Sequence, residues 1–581
     1  MKRFLITTAN ETTWRTDLPV LFLGEWCKLY SRKHIWEKLD YEVLPYHWDD
    51  RDKLYKDYFY VSQKYEKYLD LLSKRLNEIH NVSYPVRYWR IVIGEWLHFI
   101  IEILYDRYCS IIAAANTAKI TNTWILSTPD WTWVPKDFST FNNWFVSDEY
   151  NHYLYSYIIK SIGGIPFHIK EANKENRVLK KQSKANLLKK IIKPYTKLIP
   201  NYLNKKVFVS SYLSLKDLTK LQLLLGQVPY PFSPKCLVSD YQPDPSLRKR
   251  IVFNGDKDRF ELLLNNLLPE QIPTVYIEGY TEMHYRALAN FPKHPDLIYT
   301  ANAFSSDEGF KLWAAHNVNL GAKLIIGQHG GHYGSGLWST TEDHEINLSD
   351  NFFTWGWRIN GNKKTVPMPS GSLARLKYGI THNSKGNILW VSMSLPRYSY
   401  FLFSAPIGPQ VIDYIKEQER FARAVSQDVH DLLLLRLFHT DFGWDQEKRW
   451  AEIDPNLKIY HGTKSMIQQL KDSRLLISTY NATTYLESFA ANFPTIIFWN
   501  PKHWELRDTA QPFFNELQQA GILHYTPESA AAKVNEIYQD PIAWWQQPEI
   551  QNAKDNFCNQ FAKTSENWMD EWAKEFNTIV S

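Results

Sequence analysis

The sequence predicts an α/β protein in which two Rossmann-like domains, each built on a parallel, doubly wound sheet, face one cleft, with a helical insertion in the first domain. Three observations carry that expectation. Short apolar runs that end in polar or turn residues recur along the chain, as buried parallel strands do. They alternate with helical patterns of ten or more residues. The 581 residues exceed what one core usually supports.

FLITT and PVLFLGEWC open the chain as candidate strands. From about 49 to 117 apolar residues return every three or four positions, which predicts two long packed helices. The stretch Trp96 to Ala115 carries His98, Glu102, Asp106 and Arg107, so it reads as an amphipathic helix and not as a membrane span. TNTWILST reads as a strand, and FSTFNNWFVSDEYNHYLYSYIIKSI as a loop and an aromatic-rich helix. Residues 170–206 hold roughly a dozen Lys and Arg with Leu and Ile interleaved, which suits either an anionic membrane surface or a solvated linker. Strands followed by helices return at VFVSSYLS, TVYIEG, LIYTANAF and AKLIIGQHGG. A Gly-, Pro-, Ser- and Lys-rich stretch at 357–385 is the candidate hinge, and NILWVSMSLP, DLLLLRLFHTDFGWD, KIYHGTKS and RLLISTY then form the cleaner Rossmann-like half. The resulting division is 1–365 as an N-terminal acceptor-side domain with helical insertions at about 50–205, 386–545 as the nucleotide-binding domain, and 546–581 as helices that cross back.

Composition removes several function classes. A net charge of +5 with 22% charged residues is too mild for an obligate nucleic-acid partner. Cys27, Cys109, Cys236 and Cys558 lie far apart without metal-ligand spacing, so neither zinc nor a disulfide framework is expected. MKRFLITTANETTW lacks a signal-peptide core, and a cytoplasmic location is expected. Neither GxxxxGK[ST] nor GxGxxG occurs, which removes the main support for a nucleoside triphosphatase or a nicotinamide dehydrogenase. Aromatic residues reach 15%; most fill cores, and some can stack on sugar rings.

The most informative segment is LLISTYNATTYLESFAANFPTIIFW, where a strand turns into a helix at Ser478, Thr479, Tyr480, Asn481 and Thr483, with Glu487 one turn in. Amides, hydroxyls and the helix dipole at such a turn hold an anion, beyond the carboxyl end of a strand. An ordinary N-cap is the competing reading. Preceding strand ends add Arg436 and His439, then His461 and Lys464, cations suited to a phosphate leaving group. In the first half, LIIGQHGGHYGSG supplies a cleft loop of Gln328, Gly330, Gly331 and His332, with His329 as an acid or base. Glu278, directly after an apolar strand and before a glycine, is the preferred carboxylate; Asp307 and Glu308 compete, although they equally suit a helix cap.

Together FLITTANETTW, VLFLGEWC, SDEGFKLWAA, IIGQHGGHYG, FFTWGW, FHTDFGWDQEKRW and STYNATTYLESFAANFPTIIFWNP resemble a family of transferases encoded in bacterial O-antigen and surface-polysaccharide clusters. The resemblance spans nearly the whole chain and implies a GT-B-like glycosyltransferase. The C-terminal half is distantly similar to capsule transferases that use CMP-activated ulosonic acids such as Kdo, which implies that Ser478, Thr479 and His439 or His461 bind the CMP phosphate. Unlike those enzymes, the chain has no His-Pro pair in that half; its one such pair is His294-Pro295. The implied reaction takes a nonulosonic or Kdo-type sugar from CMP to an O-antigen or other glycan, with no metal or other cofactor. The basic 170–206 segment would hold the enzyme at the inner face of the cytoplasmic membrane. A CDP-glycerol- or UDP-sugar-dependent polymer transferase and a noncatalytic glycan-binding protein are the alternatives.

Overall fold

The computed structural model describes residues 2–171, 205–229, 237, 240–253, 258–376, 380 and 382–581. Most of the basic 170–206 segment, and Cys236, lie outside them. The strands form three sheets in which every adjacent pair is parallel. The first contains β1 (Arg3–Ile6), β2 (Val20–Phe22), β3 (Tyr41–Val43), β4 (Ile120–Leu126) and β5 (Phe167–Lys170) in the order 3-2-1-4-5. The middle one contains β6 (Lys206–Val209), β7 (Leu297–Thr300), β8 (Lys323–Gly327), β9 (Asn351–Thr354) and β10 (Thr365–Pro367). The C-terminal one contains β11 (Asn387–Val391), β12 (Leu433–Arg436), β13 (Lys458–Ile459), β14 (Ser473–Ser478), β15 (Thr495–Phe498) and β16 (Leu523–His524).

The first 365 residues therefore hold two sheets, because the opening runs pair with TNTWILST across the helices and not with the strands after 205. Periodicity identifies strands but not their partners. The C-terminal sheet has the Rossmann order 13-12-11-14-15-16. The strands of the middle sheet follow chain order from β6 to β10. One face of this sheet is covered by the helix Leu215–Leu224, through Leu221, and by the terminal helix Trp568–Val580, whose Trp572 and Phe576 pack on Phe208, Tyr299 and Phe353. Trp572 fixes that docking by donating its indole N–H to Pro369 O at 2.9 Å.

The helices Arg51–His80 and Val86–Asn116 pack together, and the second also packs on Glu308–Asn319 behind the middle sheet. The amphipathic reading of Trp96 to Ala115 needs correction. Glu95, His98, Glu102, Asp106 and Arg107 are all buried. They pair among themselves, His98 Nδ1 with Glu102 at 3.0 Å and Asp106 with Arg107 and with Tyr46 at 2.7 Å. Paired charges let a helix be buried on every side. Among the described residues, no helix is long and apolar enough to cross a membrane. The middle and C-terminal sheets turn their strand C-termini toward one cleft, and these two Rossmann-like domains give the GT-B-like arrangement.

Candidate functional site

The cleft is built where β8 leaves the middle sheet. Buried Gln328 accepts from Trp355 N at 2.9 Å and Trp357 Nε1 at 2.8 Å, and its amide donates to Gly330 O at 2.8 Å, so the glycine loop leaves the strand in one fixed direction. Gly331 then meets the C-terminal domain. Its N–H donates to Thr483 Oγ1 at 2.8 Å, and a Cβ there would lie 2.3 Å from Ala482 C and 2.6 Å from Thr483 N. Only glycine fits that approach. Asn481 Nδ2 donates to Ser335 Oγ at 3.2 Å, and Arg507 bridges by donating its amide to Ser335 O at 3.0 Å while its guanidinium meets Glu342 at 2.6 Å.

Beside this seam lies a cavity of about 420 Å³. Tyr212, His329, Thr354 and Arg375 line it from the middle-sheet side, and Ile467, Thr483 and Glu487 from the C-terminal side. His329 is 24% exposed and stacks on Tyr212, with ring centroids 6.2 Å apart; Tyr212 holds a left-handed φ of 57°. The His329 Nε2 lies 3.3 Å from the Tyr333 hydroxyl. Burial pushes the imidazole down to about 4, so it is a neutral base at neutral pH. Burial raises the Glu487 carboxyl to about 7, and among the described residues it has no hydrogen-bond or ion-pair partner. Among the described residues, Arg375 is the cation that lines the cleft wall; its guanidinium is 3.1 Å from Asp217 and 38% exposed.

Thus His329, Gln328, Gly330, Gly331, Thr483 and Glu487 converge, while other predicted residues lie elsewhere. Glu278 does not follow a strand: Thr274–Tyr276 is a 3-10 turn, and the carboxylate is held by buried Arg248 at 2.7 and 2.8 Å. A short apolar run after Pro273 cannot be told from a buried turn by periodicity. Asp307 caps the helix Glu308–Asn319 by accepting from Phe310 N at 3.0 Å. Glu308 is buried with Lys311 at 3.2 Å and accepts from the Tyr276 hydroxyl at 2.8 Å. His332, at φ 74°, has Nε2 3.0 Å from Ser404 O and stacks on Phe403, away from the cavity.

The strand-to-helix turn is largely closed. Arg436 and Ser478 both stand opposite Val391 on its two sides, so they share a face of the sheet. Yet Ser478 is fully buried, and Thr479 donates to Val391 O at 3.0 Å and shares a 2.6 Å bond with Tyr414. The crevice between β11 and β14 is filled by these side chains. The Tyr480 hydroxyl is bound to Thr484 at 2.6 Å, and Arg436 donates to Lys464 O at 3.0 Å and to Gln469. His439 and His461 are exposed, and Lys464 pairs with Asp472 at 2.5 Å. Tyr212, Thr354 and Arg375 are among the cleft residues that escaped sequence reasoning. Arg375 follows β10 inside the stretch read as a hinge; the rule that ligands sit beyond parallel strand ends would have flagged it had β10 been recognised.

One group with metal-ligand atoms within 4.8 Å of one another occurs among the described residues, His47, Asp57 and Cys109. Asp57 already accepts from Trp48 at 2.8 Å, Tyr105 at 2.9 Å and Lys53, and none of the three lines the cleft. Of the pairs with Asp-x-Asp spacing, Asp50 and Asp258 cap helices at Lys53 N and Phe260 N.

Several solved structures are similar in outline. UDP-bound MnaA of S. aureus is 10% identical, with a TM-score of 0.34 over 56% of this chain and 86% of that one. MurG of Acinetobacter baumannii is 13% identical at 0.29, over 52% and 77%. Anabaena Alr3699/HepE in complex with UDP is 12% identical at 0.30, over 55% and 89%. Superpositions this loose place no residue. No curated protein matches the sequence. The LIC12162 family transferase profile, in contrast, matches residues 3–576, from β1 into the terminal helix that closes the middle sheet, and the chain belongs to that family of transferases.

Proposed function

We propose that this transferase moves a glycosyl group from a nucleotide-linked donor to a hydroxyl of a glycan acceptor in the cleft between the middle and C-terminal sheets. The observation that carries the reading is the convergence of a neutral imidazole, His329, with Arg375, Thr483 and Glu487 around one cavity. The acceptor oxygen attacks the anomeric carbon as its proton passes to His329, and the bond from that carbon to the donor phosphate breaks. Arg375 and the uncapped first turn of Thr483–Ala490 meet the negative charge left on the phosphate. Glu487, near its midpoint at neutral pH, holds or releases a proton beside that group.

The finer proposal is a CMP-linked nonulosonic or Kdo-type donor and an O-antigen or other surface-glycan acceptor. It rests on the resemblance of the C-terminal half to capsule transferases. With Arg375 as the cation on the cleft wall, transfer survives EDTA. The reaction takes place at the cytoplasmic membrane face, with residues 170–206 near a lipid-linked acceptor. Thermal-shift titration with CMP, UDP and CDP, followed by hydrolysis of the matching sugar nucleotides, tests the reading. Stabilisation by CMP alone supports the finer proposal, and by UDP or CDP the alternative donors. No response to any nucleotide would leave a glycan-binding protein without catalysis.

A further inference from the structure

Deep in the cavity lining sits a polar atom that nothing in the protein engages. Tyr299, on β7, is 2% exposed and lines the cavity beside Gly327. Its hydroxyl has no hydrogen-bond partner among the described residues, and it is not sealed off from open space. Gly327, the last residue of β8, leaves room for it: a Cβ there would lie 2.0 Å from the Tyr299 hydroxyl oxygen. The ring is gripped by Trp572, Phe576 and Phe353, with centroids 5.3, 5.6 and 6.2 Å away, so the hydroxyl is fixed in place before any ligand arrives. A buried donor without a partner is costly, and a ligand that supplies the acceptor removes that cost. Burial also pushes the phenol up, so it keeps its proton and donates at neutral pH.

We propose that the Tyr299 hydroxyl reads an acyl substituent, such as an acetamido group, on a sugar bound in the cleft, by donating to its carbonyl oxygen. This rests on the reading that a sugar occupies the cleft. The surroundings select that chemistry. Phe353, Met368 and Trp572 line the cavity with Tyr299, carry no charge and share one apolar cluster with it. The Trp572 N–H is already given to Pro369 O, and the Gln328 side chain is taken up by Trp355, Trp357 and Gly330. A carboxylate beside the phenol would find no counter-charge among these neighbours, and a sugar hydroxyl would bring a second O–H with one acceptor too few. An acyl carbonyl accepts the bond and brings no donor of its own, and its methyl group finds the Met368 and Trp572 side chains to pack on.

Saturation-transfer NMR titrations of two matched pairs read this without turnover: the methyl glycoside of N-acetylglucosamine against that of glucose, and UDP-N-acetylglucosamine against UDP-glucose. In at least one pair the acetamido member is expected to bind the wild-type protein about tenfold more tightly, and Tyr299→Phe to bring the two members within about twofold of each other. A preference in the glycoside pair assigns the acyl group to the acceptor, and one in the nucleotide pair to the transferred sugar. The melting temperature of Tyr299→Phe is expected to hold, because the hydroxyl has no partner in the protein to lose. A marked fall in melting temperature overturns the proposal, as does a preference in neither pair or one that survives in Tyr299→Phe. His329→Ala separates the two readings: if it retains donor hydrolysis, the proposed reaction falls while the acyl preference stands, whereas loss of hydrolysis with a preference unchanged in Tyr299→Phe overturns only the role of Tyr299.

Discussion

The two walls of the cleft are furnished in opposite ways. The middle-sheet wall presents its chemistry beyond strand ends, with Tyr212 after β6, His329 after β8 and Arg375 at the end of the short helix Gly371–Ala374 that follows β10. The C-terminal wall has the richer set of polar residues at its strand ends, but Thr479 is bonded to Val391 O and Tyr414, Ser478 is sealed in the core, and what reaches the cavity is Thr483 and Glu487 from the following helix. A polar residue at a strand end is therefore a ligand group only where the backbone and the packing around it leave it unengaged.

That contrast can be broken in several places. The largest effect is expected at Glu278, the preferred carboxylate of the middle-sheet half. Glu278→Gln leaves the fully buried Arg248 without its counter-charge and should cost about 3–5 kcal/mol in urea unfolding, with unchanged turnover per folded molecule. A stable but inactive variant would restore Glu278 to the chemistry. Next is Gly331→Ala, where the walls touch. Its Cβ would press on backbone that cannot turn aside, and displacement of His329 from Glu487 by about 1 Å should lower turnover on the order of 100-fold.

Glu487→Gln sharpens the comparison through pH. The folded carboxyl titrates near 7 against an ordinary 4.5, so between those values the folded state binds the extra proton and stability falls as pH rises. The glutamine variant should melt higher than wild type at pH 8 and equally at pH 4, while turnover drops about tenfold or more. Equal melting at both pH values would mean that the carboxyl is solvated. The smallest effect is expected for Ser478→Ala. Removing a buried hydroxyl that has no partner should change stability by less than about 0.5 kcal/mol or raise it slightly, and donor affinity should hold within twofold. A tenfold loss of donor binding would reopen the turn as a phosphate site.

Much of the architecture was legible before any coordinates. The alternation after 386 predicted the C-terminal strands β11, β12, β13 and β14, and the Gly-His loop, read as a cleft loop because glycines after an apolar strand let backbone approach closely, lines the cavity with Gln328 and His329. The site was legible only in part. Glu278 and Glu308 look like free carboxylates in sequence because Arg248 is 30 residues from the first and the Tyr276 hydroxyl is 32 residues from the second. Arg375 was hidden by a strand of only three residues, too short for a period to register.

What the sequence determined by itself is the local grammar: apolar runs that must be buried as parallel strands, helices of matching length, and a loop whose glycines allow backbone to touch backbone. Which polar groups remain free was decided by the tertiary structure. Hydrogen bonds and ion pairs form between atoms a few ångströms apart however many residues separate them, and only packing brings Arg248 to Glu278 or Tyr414 to Thr479.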